Sequence, residues 1–200
     1  MNYPDSLNNL IENFKKMPGI GEKTAERLAF SVLNFDQDDI DSFSKSIKEI
    51  KSKLKKCVVC NNLTESEKCN ICDDLSRDNS IICVVEDTKN LYLFEKAGNY
   101  NGKYHVLDGL ISPLNGINPE DINIDSLINR VHKENTKEVI IAVKPTIEGE
   151  TTSLYILKLL KDTNVVVSKI AHGVPLGSDM EYLDALTLEM AMNDRKKISE

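Results

Sequence analysis

The sequence predicts an α+β multidomain chain: a helical N-terminal domain, a small cysteine module, an α/β domain on a mostly parallel sheet, and a C-terminal arm. Three observations carry this. Two C-x-x-C pairs, Cys57/Cys60 and Cys69/Cys72, stand close together in the first half of the chain. Before them apolar residues recur at helical spacing; after them short apolar runs alternate with amphipathic stretches. The expected boundaries are 1–54, 55–76, 77–172 and 173–200.

Leu7, Leu10, Ile11 and Phe14 follow the i, i+3, i+4, i+7 pattern of an amphipathic helix that must stop by Pro18. Pro18-Gly19-Ile20-Gly21 then makes a turn, and helical periodicity resumes over 22–33 through Ala25, Leu28, Ala29 and Val32. Helix, G-x-G turn, helix is the helix-hairpin-helix signature. Gly19 and Gly21 let backbone approach a phosphate, and the N–H groups opening the second helix point at the anion. Lys23 and Arg27, four residues apart, share the face opposite the apolar set, which suits sequence-independent contact with DNA phosphates. The plainer reading is an αα-turn with solvated cations. A nucleotide loop is excluded, because Gly21-Glu22-Lys23-Thr24 lacks the second glycine spacing and the preceding strand of a P-loop. Ile40, Phe43, Ile47, Ile50 and Leu54 mark a third helix. Lys45, Lys48, Lys51, Lys53, Lys55 and Lys56 crowd its other side, a pattern normally belonging to a solvated face, with a secondary DNA-facing role as the alternative.

Two C-x-x-C turns deliver four thiolates and close a tetrahedral Zn²⁺ shell, so Cys57, Cys60, Cys69 and Cys72 are the expected ligands of a structural zinc. A redox dithiol would show one such pair, and disulfides would need an oxidising compartment. Past Cys72 the expected strands are 81–86, 104–107, 138–143 and 165–170, with helices at about 88–97, 124–134 and 151–161. That β-α-β-α-β-α-β order implies parallel strands, helices on both faces, and sites at the carboxyl ends of the strands. Glu86-Asp87 follows the first strand, and Glu148-Gly149-Glu150 falls in the loop after the third. Such carboxylates can hold Mg²⁺, receive a partner protein, or offset helix dipoles; the residues alone leave all three open. Cys83 reads as a buried apolar residue and His172 as structural. The turn-rich segment 109–119 is an expected functional loop. Segment 171–179, with its glycines and proline, is an arm leading to a short helix with Leu183, Leu186 and Met190.

With 32 acidic against 25 basic residues and a net charge of −7, bulk electrostatics does not drive nucleic-acid binding, so any DNA contact is local. Absent Trp and a low aromatic content argue against a stacking platform for single strands, and the apolar runs are too short to span a bilayer. The expected location is cytoplasmic and nucleoid-associated.

The hairpin Pro-Gly-Ile-Gly-Glu-Lys-Thr-Ala-Glu-Arg-Leu-Ala-Phe, the cysteines, Ile-Cys-Val-Val-Glu, Ser-Pro-Leu-Asn-Gly-Ile, Pro-Thr-Ile-Glu-Gly-Glu-Thr-Thr and Ile-Ala-His-Gly-Val-Pro-Leu-Gly occur in this order. The chain thereby resembles the RecR family of bacterial recombination proteins over nearly its whole length. The resemblance implies a helix-hairpin-helix domain, a four-cysteine zinc finger, a Toprim domain, and an arm that helps close a dimer-to-tetramer ring around DNA. It implies a non-enzymatic mediator of recombinational repair, acting with RecO and in some settings RecF. Such a mediator loads RecA on gapped DNA coated by single-strand-binding protein. By position Lys23 and Arg27 match DNA-contacting cations, and Cys57, Cys60, Cys69 and Cys72 match zinc ligands. Glu86, Glu148 and Glu150 match acidic Toprim positions that resemble partner-binding residues, with any Mg²⁺ there not expected to be catalytic. The rivals are a Toprim-type Mg²⁺-dependent nuclease or primase using Glu86 as acid/base, and a zinc adaptor that never touches DNA. Three residues depart from the family pattern. Lys144 stands for Asn and is expected beside Glu148 and Glu150. Asn118 stands for Gly and is expected to tolerate a left-handed backbone. Lys169 stands for Arg and lacks its bidentate fork.

Overall fold

The computed structural model describes residues 3–171 and 173–195. His172 and 196–200, the end of the arm, lie outside them. Two compact units, 1–54 and 55–200, divide the chain.

In the first unit α1 (Asp5–Lys15) and α2 (Glu22–Val32) pack as an antiparallel pair through Ile11, Phe14, Ala25 and Ala29. Alanines at 25 and 29 let the helices approach closely, while Leu7, Leu10, Leu28 and Val32 flank the contact. Gly19 adopts φ 82°, the left-handed conformation that lets the chain reverse between them. Helix α3 (Gln37–Lys53) is capped by Asp36, whose carboxylate accepts from the Asp39 N–H at 2.8 Å. It buries no residue: Phe43, Ile47 and Ile50 all remain exposed.

The second unit opens with a ribbon of β1 (Lys55–Lys56) and β2 (Leu63–Thr64), then a single turn of helix, α4 (Asn70–Asp73). Next come β3 (Asp78–Val85), α5 (Thr88–Ala97), β4 (Gly102–Val106), α6 (Ile124–Lys133), β5 (Glu138–Ala142), α7 (Ile147–Leu160) and β6 (Val166–Lys169). The sheet order is β4-β3-β5-β6, all parallel. Strand alternation sorts side chains into two cores. Ile82, Val84, Val139 and Ile141 face α6 and α7 through Leu127, Val131, Ile156 and Leu160. Cys83, Val85, Tyr104 and Val106 face Leu91 of α5 together with Cys57, Cys60, Cys69 and Ile71. Cys83 is buried, as its mid-strand position predicts, and burial pushes its thiol up to about 12.

Helix α7 begins at Ile147, a turn earlier than the expected 151, so Glu148 and Glu150 lie in a helical first turn and not in a loop. Thr146 supplies the reason, its hydroxyl accepting from the Gly149 N–H at 3.3 Å. Segment 109–119 is ordered by a bridge between Ser112 and Ile117 around a 3₁₀ turn, Pro113–Asn115. Asn118 is extended at φ −98°, not left-handed; it forms a capping box with Asp121 for a second 3₁₀ turn. The final segment carries a 3₁₀ turn, Met180–Tyr182, and α8 (Ala185–Asn193), which excludes Leu183.

Candidate functional site

Three groups of residues carry chemistry. The first is the start of α2. Its N-cap is Gly21, and no side chain caps the helix, so the N–H groups of its first turn keep their capacity for an anion. Gly21 has φ −87°, which any residue adopts, so its value lies in leaving this mouth open; a Cβ there would meet nothing within 4 Å. Lys23 and Arg27 lie beside it, and neither forms an ion pair among the described residues. The acid in that turn, Glu22, is held by Lys15 of α1 at 2.6 Å, which offsets a negative charge beside the cations. Sequence reasoning missed this pair because it depends on how the two helices pack. Among the lysines of α3 and the strand after it, Lys53 is paired with Glu49 and Lys56 with Asp108, both at 2.6 Å.

The second group is the cysteine cluster. Cys57, Cys60, Cys69 and Cys72 place their sulfurs within 4.8 Å of one another, and Cys60 Sγ lies 3.5 Å from Cys69 Sγ. A tetrahedron with zinc–sulfur bonds of about 2.3 Å has edges of about 3.8 Å, so the donor set fits that ion. The Cys69 N–H donates to Cys57 Sγ at 3.3 Å, stabilising a thiolate. Sulfurs this close cannot all ionise by themselves. Contact with Cys69 and Cys72, then burial, pushes the Cys60 thiol up, while hydrogen bonds from Cys60 and Cys72 hold Cys69 down. A divalent cation resolves that conflict.

The cluster is pinned to the sheet by residues that no sequence motif marks. Val106 N–H donates to Cys60 O at 2.9 Å. Asn61, left-handed at φ 62°, donates to Val106 O at 3.0 Å and Asp108 Oδ2 at 2.8 Å. Lys103 of β4 is buried, and its Nζ donates to the carbonyls of Ile71, Cys72 and Asp74 at 2.7, 3.1 and 2.7 Å. Arg77 forks onto Glu95 at 2.9 and 2.5 Å, tying the exit of the module to α5.

The third group lies at the carboxyl ends of β3 and β5. The chain leaves β3 for β4 on one side and returns to β5 on the other, so a topological switch point falls between β3 and β5. Glu86 follows β3 directly, and Glu148 and Glu150 open α7 after β5. They do not assemble a metal site: among the described residues the four cysteines are the one cluster of potential ligands. Lys144 lies close enough to Glu148 to act on its charge, as the sequence suggests, but its direct bond goes to Glu86 Oε1 at 3.0 Å. Glu150 is engaged by Lys169, which makes a single contact in place of a fork. The Glu148 carboxyl is held below the usual range by its own backbone N–H and the Thr146 hydroxyl, a first-turn arrangement. An ammonium on Glu86 and another on Glu150 occupy carboxylate oxygens that a Mg²⁺ ion would need.

Residues 7–51 match the family described as RecR, helix-hairpin-helix; 54–74 match the RecR four-cysteine zinc finger domain; 80–171 match Toprim domain; and 173–196 match RecR, C-terminal. The chain belongs to the RecR family. A role in DNA recombination and repair goes with that membership, and the cysteine cluster is its structural zinc site. Among the described residues no helix is long and apolar enough to cross a membrane.

Proposed function

We propose that this chain is a non-catalytic DNA clamp that acts with RecO, and with RecF, to load RecA on gapped DNA coated by single-strand-binding protein. The start of α2 carries the reading. It joins uncapped backbone donors to the cations Lys23 and Arg27, unpaired among the described residues, with Gly19 and Gly21 in the turn before them. These groups meet phosphates without reading bases, so binding is independent of sequence. One such site is weak. Several copies in a homo-oligomeric ring raise the effective concentration, which lets a subunit of net charge −7 hold duplex or gapped DNA. Glu86, Glu148 and Glu150 form the partner-binding edge for RecO at the switch point. With Lys144 on Glu86 and Lys169 on Glu150, this edge is a poor centre for metal-dependent cleavage or primer synthesis.

The test is the double variant Lys23→Glu/Arg27→Glu. Each lost phosphate contact removes about 0.9 from the slope of log K against log salt, so two contacts remove about 1.8 per engaged subunit. Duplex affinity falls equally for unrelated sequences. An unchanged slope and affinity refute the assignment of the DNA face. Charge reversal at Glu150 weakens RecO binding with DNA binding intact; the opposite result refutes the partner edge. Reproducible cleavage with Mg²⁺ or Mn²⁺ that disappears in Glu86→Gln overturns the non-catalytic reading.

A further inference from the structure

We propose that Lys103 is the buried counter-cation of the zinc centre, a positioning residue that holds metal by charge as well as by hydrogen bonds. Zn²⁺ with four thiolates carries a formal surplus of two negative charges, which a buried site must offset with donors or a cation. Lys103 is 3% exposed, far from ordinary for lysine. Among the described residues no carboxylate pairs with it, whereas its neighbours Arg77 and Arg130 have Glu95 and Glu134. A buried ammonium without an anionic partner is unfavourable unless its charge is answered nearby. All three of its hydrogens go to carbonyls of the second knuckle and its exit, and one of these belongs to the ligand Cys72. Asp74, at that exit, turns its carboxylate to Arg77 and meets Lys103 only through its carbonyl, so the ammonium reaches the ligand set through the Cys72 carbonyl. Lys103 thus complements the metal centre electrostatically. Its three bonds also fix the backbone that presents Cys69 and Cys72, and its stem anchors that backbone to β4. The position is invisible as a motif, since Gly102-Lys103-Tyr104 reads as a strand start with an ordinary surface lysine.

The experiment measures zinc release from the full chain to 4-(2-pyridylazo)resorcinol, well below the melting temperature. It compares the unmodified protein with Lys103→Arg, Lys103→Gln and Lys103→Met. Supporting interactions of this kind change metal affinity by roughly 10- to 100-fold. We therefore expect Lys103→Gln, which keeps donors but loses charge, to release zinc roughly tenfold faster or more, Lys103→Met faster still, and Lys103→Arg near the unmodified rate. Release from Lys103→Gln at the unmodified rate overturns the proposal, as does release from Lys103→Arg as fast as from Lys103→Gln. Should both uncharged variants fail to fold while Lys103→Arg folds with one zinc per chain, the charge is upheld. Failure of all three to fold shows a role in packing and refutes it. The inference rests on the zinc reading of the cluster, and the zinc content of the unmodified chain separates the two. Absence of zinc there defeats the site, whereas zinc there with indifferent Lys103 variants defeats only the counter-cation.

Discussion

Gly149→Ala reverses the usual expectation for a glycine in a helix. Gly149 occupies the first turn of α7, where alanine normally adds about 1 kcal/mol of stability. A Cβ built there lies 2.0 Å from Lys144 O and 3.2 Å from Lys144 C, and these are backbone atoms that cannot swing aside. Relief requires the turn after β5 or the start of α7 to move by more than an ångström. Overpacking of this kind costs up to about 3 kcal/mol. Subtracting the propensity gain leaves a net loss of about 2 kcal/mol, or a melting temperature lower by about 4–8 °C for a chain of this size. The same shift displaces Thr146 from the Gly149 N–H and carries Glu148 and Glu150 with it. The assay is urea and thermal unfolding of the full chain, with Thr151→Ala on the exposed face of α7 as control. RecO binding is read at a temperature where both remain folded. A neutral result, or stabilisation by the propensity increment, shows that the close approach of α7 to the Lys144 carbonyl is not as described and refutes the reasoning.

Gly21→Ala should cost no more than about 1 kcal/mol, the usual difference between glycine and alanine at an N-cap, since the site is open and its φ ordinary, yet weaken duplex binding by placing a methyl at the mouth of α2. Equal affinity would remove that mouth from the interface. His105 is buried, with its pKa lowered to about 4 by burial, while Nε2 meets Asn123 O at 2.9 Å. The unfolded chain therefore binds this proton first. The stabilisation is complete above about pH 6.5 and lost as pH falls toward 4, by at most about 3 kcal/mol. Urea unfolding of the unmodified protein and His105→Gln at pH 7 and pH 5 should show the gap between them shrinking; a constant gap contradicts the assignment. Cys57→Ser or Cys72→Ser should lose zinc, lower the melting temperature and expose the Val106 amide, which donates to Cys60 O, to hydrogen exchange. Normal zinc content and protection would show that the cluster does not hold the edge of β4.

Much of the fold was legible because its signals are local and periodic. Leu7, Leu10, Ile11 and Phe14 mark α1, and the alternation of Ile82 and Val84 with Cys83 and Val85 reproduces the two faces of β3. The zinc ligands were equally legible, since C-x-x-C encodes its geometry in a few bonds. The start of α7 was misplaced because Glu148-Gly149-Glu150 looks like a turn. Its helical state depends on the Thr146 cap and on a glycine that leaves room for the Lys144 carbonyl. The tolerance of Asn118 for a left-handed backbone goes unused, since its backbone is extended and its side chain serves as a cap. Lys144 stays near Glu148, its neighbour in sequence, but its bond to Glu86 depends on β3 running beside β5, which no local pattern shows.

By itself, then, the sequence determined the helical pair with its glycine turn, the four-cysteine set, the order of strands and helices, and the family. Each of these is written in spacing over a few residues. Only the tertiary structure decided which charges are free and which are spent. Among the described residues Lys23 and Arg27 stay unpaired while Lys15 holds Glu22; Glu86 and Glu150 are each held by a lysine; and Lys103 is drawn out of solvent onto the second knuckle. The reason is physical. Periodicity places a side chain on a face, but an ion pair or a buried ammonium depends on what the rest of the chain brings to that face, often dozens of residues away.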